Sequence, residues 1–97
     1  MQRLYNNLEL LVMDFEEYRN YLKIKAKVPK NQIAYYLGWI TQFFAFCNKE
    51  PGQHFDAKAV LDFIDQLAHR CEDWQVAQAQ KAIELYRYLQ SKKSEQP

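Results

Sequence analysis

Histidine, cysteine and carboxylate are the side chains that would carry acid–base, nucleophilic or metal chemistry, and in this chain they are scattered. His54 falls in or beside a loop and His69 near a helix end. Neither has carboxylate or cysteine partners at metal-ligand spacing, and His69 and Cys71, two positions apart, cannot share a helix face. Cys47 and Cys71 each lie in an apolar helical stripe and form no CxxC motif. Buried free thiols are the expected state, with a disulfide or redox pair as the lesser alternative. There is no GxSxG, no glycine-rich phosphate loop and no HExxH. Capping and solvation account for the acid pairs Glu16-Glu17 and Glu72-Asp73. The residues imply no cofactor, no metal and no catalysis by this chain alone.

The chemistry the sequence does offer is electrostatic. Residues 18–49 hold Arg19, Lys23, Lys25, Lys27, Lys30 and Lys49 and no acid, a net of +6, although the whole chain is only +1. Residues 50–73 follow with a net of −4, and residues 1–17 precede with −3. A basic stretch on an otherwise balanced protein is a candidate footprint for a polyanion. An ordinary solvated surface is the alternative. For Lys23 and Lys25 a second alternative is interaction with the C-terminal dipole of a helix.

Four helices are expected to position these residues. The first runs from about Leu8 to Lys25, capped by Asn6 or Asn7 with Glu9 in capping-box position. Its apolar face is Leu8, Leu11, Val12, Phe15, Tyr18 and Leu22. Val28-Pro29 breaks it, because the residue before proline is pushed out of the α region. The second runs from about Asn31 to Asn48 and carries two adjacent stripes. One is Ile33, Leu37, Ile40, Phe44 and Cys47; the other is Tyr36, Trp39, Phe43 and Phe46. So wide an apolar arc predicts a central helix, with Trp39 and Phe43 as core anchors and Gly38 permitting close helix approach. The third, from Ala57 to about Arg70, is capped by Asp56 and buries Val60, Phe63, Ile64, Leu67, Ala68 and Cys71. The fourth starts after Asp73 as N-cap and reaches about Gln90, with Val76, Ala79, Ala82, Ile83, Tyr86 and Leu89 inward.

Composition agrees with this outline. Gly is 2 and Pro is 3, too few for a turn-rich β-sandwich or barrel. Ninety-seven residues make one domain, expected over 1–91, with 92–97 as a frayed polar tail or the start of a linker. No apolar run is long enough for a membrane span, and the N-terminus lacks a signal-peptide pattern, so a cytoplasmic protein without membrane contact is expected.

Three segments resemble a known family in order and spacing. Tyr36-x-x-Trp39-Ile40-x-x-Phe43-x-x-Phe46 resembles the second helix of the N-terminal core-binding domain of phage and integron tyrosine recombinases. Ala57-x-Ala59-Val60-x-x-Phe63-Ile64-x-x-Leu67-Ala68 is similar to its third helix. Trp74-Gln75-x-x-Gln78-Ala79-x-x-Ala82-Ile83-x-Leu85-Tyr86-x-x-Leu89 is similar to its fourth. The resemblance covers about residues 8–91. It departs at the start of the second helix, where Pro29 and Gln32 stand in place of Ser and Thr.

The resemblance implies an all-α, SAM-like bundle of four or five helices. It also implies a DNA-binding module that grips duplex DNA near the core site for integration and recombination. A catalytic domain of the same parent chain, absent here, would carry the recombinase chemistry, and other recombinase protomers are further implied partners. On that reading Lys27 and Lys30 flank the N-terminal amides of the second helix, where phosphate oxygens are favoured. Asn31 and Gln32 donate to phosphate or base edges, and Lys23 and Lys25 extend the patch. On the fourth helix, Gln78, Lys81 and Arg87 reach the major groove. The rival expectation is a helical protein–protein interaction module without DNA binding. A metabolic enzyme fragment is disfavoured by the missing catalytic groups.

Overall fold

A computed structural model describes residues 15–50 and 52–95, and among these every regular element is an α-helix. The described part of α1 covers residues 15–24. It is followed by α2 (Lys30–Cys47), α3 (Ala57–Ala68) and α4 (Asp73–Glu95). The architecture is an all-α bundle. The expected cap at Asn6 or Asn7, with Leu8, Leu11 and Val12, lies outside the described residues.

Local signals set the ends of these helices. α1 gives way at Lys25, and the N–H groups of Lys25 and Ala26 both return to the Tyr21 carbonyl. Lys27 then takes a left-handed conformation (φ 55°). Val28 N–H closes the turn on Leu22 O at 2.9 Å. Pro29, with φ −54° and ψ 141°, is pre-shaped to lead into α2, but it brings no side-chain cap. α2 ends on Asn48, left-handed at φ 56° and ψ 44°. The Asn48 N–H bonds to Ala45 O (3.1 Å) and the Lys49 N–H to Phe44 O (3.0 Å), a Schellman closure that asparagine accepts more readily than most residues.

Asp56 caps α3 as expected, its Oδ1 accepting from Ala59 N–H at 3.0 Å. That hydrogen bond is the main cause holding its carboxyl below the usual aspartate value. The start of α4 differs by one residue from expectation. Asp73 is its first helical residue, and Glu72 precedes it. Gln75 Oε1 accepts from Glu72 N–H at 2.9 Å, the reciprocal half of a capping box. α3 is also shorter than expected, ending at Ala68 rather than Arg70, and Ala68 itself is exposed.

The inward positions recur every three or four residues. Phe15, Tyr18 and Leu22 are buried from α1, and Ile33, Tyr36, Ile40, Phe43 and Phe44 from α2. Phe63 and Leu67 join from α3, and Ala79, Ala82, Ile83 and Tyr86 from α4. α4 packs on both α2 and α3. Aromatic rings meet edge to face at the centre: Phe43 lies 4.7 Å from Phe55 and 5.4 Å from Phe63, and Tyr86 lies 5.5 Å from Phe44, all between centroids. Such pairs add about 0.5–1.5 kcal/mol each to the area they bury. Tyr18 is fully buried and donates to Ala82 O at 2.7 Å, which joins α1 to α4. Burial pushes its hydroxyl well above the ordinary tyrosine value.

Four further expectations change. Trp39 is half-buried rather than a core anchor, and its indole N–H donates to Gln78 Oε1 at 2.9 Å. Phe46 is exposed, although its ring stays 5.4 Å from Phe63. The arc of α2 is therefore narrower than its apolar residues suggest, because α3 and α4 cover only part of it. Gly38 meets nothing within 4 Å of where a side chain would begin, so it serves no close helix contact. The 92–97 segment is not a frayed tail at its start: α4 continues to Glu95, and Lys93 reaches Glu17 of α1 at 3.0 Å. Both of those side chains are half-exposed, so the bridge contributes little.

Candidate nucleic-acid interface

The turn between α1 and α2 gathers the basic residues. Lys23 stands on the last turn of α1, Lys25 and Lys27 in the connection, and Lys30 opens α2; all four are exposed. None makes an ion pair with a described residue. Asn31 beside them is exposed and Gln32 is half-buried. The first turn of α2 carries no acid and no side-chain cap. Gln32 N–H is taken by Pro29 O at 2.8 Å. The N–H groups of Lys30 and Asn31 precede the first intrahelical donor, so no helical carbonyl takes them up. Amides in this position, beside ammonium groups and at the positive end of a helix dipole, suit phosphate oxygens.

Lys27 also closes α1. Its left-handed backbone lets Val28 N–H reach Leu22 O, the helix-end geometry seen again at Asn48, at a cost of about 1–2 kcal/mol that glycine would avoid.

The three residues expected from α4 are not equally placed. Gln78 is half-buried and its carboxamide oxygen is engaged by Trp39, so it first serves the α2–α4 contact. Lys81, one turn further on, is exposed. Arg87 lies elsewhere. Its guanidinium sits 5.8 Å above the ring of Phe55, which packs against Phe43 and Phe44 near the C-terminal end of α2. Phe44 is fourteen positions beyond Lys30, about 20 Å along a helix axis. The structure thus does not bring Arg87 to the basic turn.

One feature of α2 escaped sequence reasoning. Its outward residues are Asn31, Ala34, Tyr35, Thr41, Gln42 and Ala45, all exposed, with Gly38 half-exposed among them. They recur at helical spacing on one face. Lys30 is the only charged residue in the 18 of α2, so this face has nothing to repel an anion laid along it. The signal was present as an absence of charge, masked by the many apolar residues that read as core.

Among the described residues, His, Cys, Asp and Glu form no metal or catalytic cluster. His54 and His69 are exposed, and His69 Nδ1 lies 2.8 Å from Asp65 O. Cys47 and Cys71 are free and half-buried, and burial pushes the Cys47 thiol up. Among the described residues, no three His, Cys, Asp or Glu side chains converge as metal ligands. Among them too, no helix is long and apolar enough to cross a membrane. No family model, curated protein or solved structure matches the chain.

Proposed function

We propose that this domain binds duplex DNA, as a SAM-like module of the kind that forms the N-terminal core-binding domain of tyrosine recombinases. The observation that carries the reading is the cluster of Lys23, Lys25, Lys27 and Lys30, exposed and without ion pairs to described residues, at the acid-free start of α2. In this reading the lysines and the Lys30 and Asn31 amides hold phosphates, and the uncharged face of α2 lies along the backbone. Lys81 supplies a further contact. Recombination near a core site falls to a catalytic domain of the parent chain, in a cytoplasmic setting and with other protomers on the same DNA. This chain itself is a binding module and not an enzyme, so the pure protein leaves supercoiled plasmid unrelaxed.

Phosphate binding has a definite salt signature. Neutralising Z phosphates releases counterions, and log affinity falls with log salt at a slope of about −0.9Z. With about four contacts, a two- to three-fold dilution of salt strengthens binding roughly 10- to 50-fold. Fluorescence anisotropy of a labelled duplex at two salt concentrations measures this. Affinity insensitive to salt, or no binding at low salt, would refute the reading and favour a protein-interaction module instead.

A further inference from the structure

The geometry points to a second anion site, a phosphate-ester cleft between the α2–α3 connection and the C-terminal half of α4. The cleft is about 560 Å³, within the usual range for small-ligand sites. Arg87, Gln90 and Ser91 line it from α4, at the spacing that puts them on one helix face. Gln53 and His54 line it from the connection. Among the described residues, no carboxylate lines it. Glu84, the acid nearest Arg87 along α4, turns back to Gln80 (3.5 Å).

Both walls are held in place. The Arg87 guanidinium stacks over Phe55, itself buried in the core, and has no acidic partner among the described residues. Tyr86 Oη accepts from Gly52 N–H at 3.2 Å and ties the connection to α4. Gln53 Oε1 accepts from Glu50 N–H at 2.7 Å, which leaves the NH2 group of Gln53 as a donor. Lys49 Nζ donates to the His54 carbonyl. An uncompensated guanidinium is thus flanked by carboxamide, hydroxyl and imidazole donors. The planar fork of arginine with neutral donors around it matches phosphate oxygens, and charge-assisted hydrogen bonds are the strong ones. Phe55 and Tyr86 also line the cleft but both rings are buried, so recognition falls on the phosphate rather than on a stacked base.

This site stands apart from the basic turn and does not depend on it. A phosphate ester reaches it either as a backbone diester of DNA or as a free monoester. The test is NMR of the whole chain, following the Arg87 Nε–H, the Gln53 and Gln90 carboxamides and the Gly52 amide. Inorganic phosphate, a nucleoside monophosphate and a short duplex are added in turn, with chloride at equal ionic strength as control. Saturable shifts at these groups, weakened about 10- to 100-fold by Arg87→Gln, are the expected result. Unshifted core signals show that this variant is folded, and Gln90→Ala provides a second, milder loss. Shifts given by the duplex alone assign the site to the DNA backbone. Shifts given by phosphate that survive Lys27→Glu/Lys30→Glu support a free monoester and separate this site from the basic turn. No shift with any of the three ligands, or shifts unchanged in Arg87→Gln, would overturn the proposal.

Discussion

Replacing Phe43 with alanine is expected to cost about 3–5 kcal/mol and to leave the domain largely unfolded at modest urea concentrations. Phe43 is fully buried, and its ring meets Phe44 (5.7 Å), Phe55 (4.7 Å) and Phe63 (5.4 Å). It therefore joins α2 to α3 and to the connection between them. A cavity there cannot be closed by moving one side chain, since three rings would have to shift together. Small domains have only about 5–15 kcal/mol of stability in total, so the loss is a large fraction. Trp39→Ala is expected to cost less, although tryptophan is larger. Its ring is half-buried, and what it loses is one hydrogen bond to Gln78 and part of a contact with α4. Urea melts of the two variants rank them. An unchanged midpoint for Phe43→Ala, or a larger loss for Trp39→Ala, would contradict this packing.

The second large effect concerns binding. Lys27→Glu/Lys30→Glu is expected to lower duplex affinity by about two orders of magnitude or more and to reduce the salt slope by about 2, the equivalent of two phosphate contacts. Both side chains are exposed, so the fold should survive. A companion variant separates charge from conformation. Lys27→Gly removes one charge and also relieves the left-handed backbone at φ 55°. It should melt at the same or a higher temperature while binding more weakly, because glycine occupies this region at little steric cost. Anisotropy and thermal melts of the same samples measure both quantities. Affinity that stays at the parent value in both variants would remove the basic turn from the interface.

Much of the fold was legible in the chain because helical burial is a local pattern. Phe15, Tyr18 and Leu22, or Ala79, Ala82, Ile83 and Tyr86, share a helix face whatever else the chain does. The same holds for the Asp56 cap and for the break at Val28-Pro29, which depend on neighbouring residues alone. The basic turn was legible for a related reason. Lys23, Lys25, Lys27 and Lys30 lie within eight positions, so no packing of distant elements could separate them.

What the sequence by itself determined, then, was an all-α chain, most of its inward positions and a contiguous basic segment without acids. Only the tertiary structure decided which apolar residues remain outside. Trp39 and Phe46 lie on the same stripe as Phe43, yet Phe43 is sealed and the other two are not. The difference comes from where α3 and α4 cross α2, and that depends on pairings 20 to 64 positions apart, such as Phe43 with Phe63 and Tyr18 with Ala82. The same crossings carried Arg87 to Phe55 and the α2–α3 connection, and set Gln78 against Trp39. A side chain on one helix is assigned to a surface only when its neighbouring helix is placed, so charge alone could not show that Arg87 lies over Phe55 and apart from Lys30.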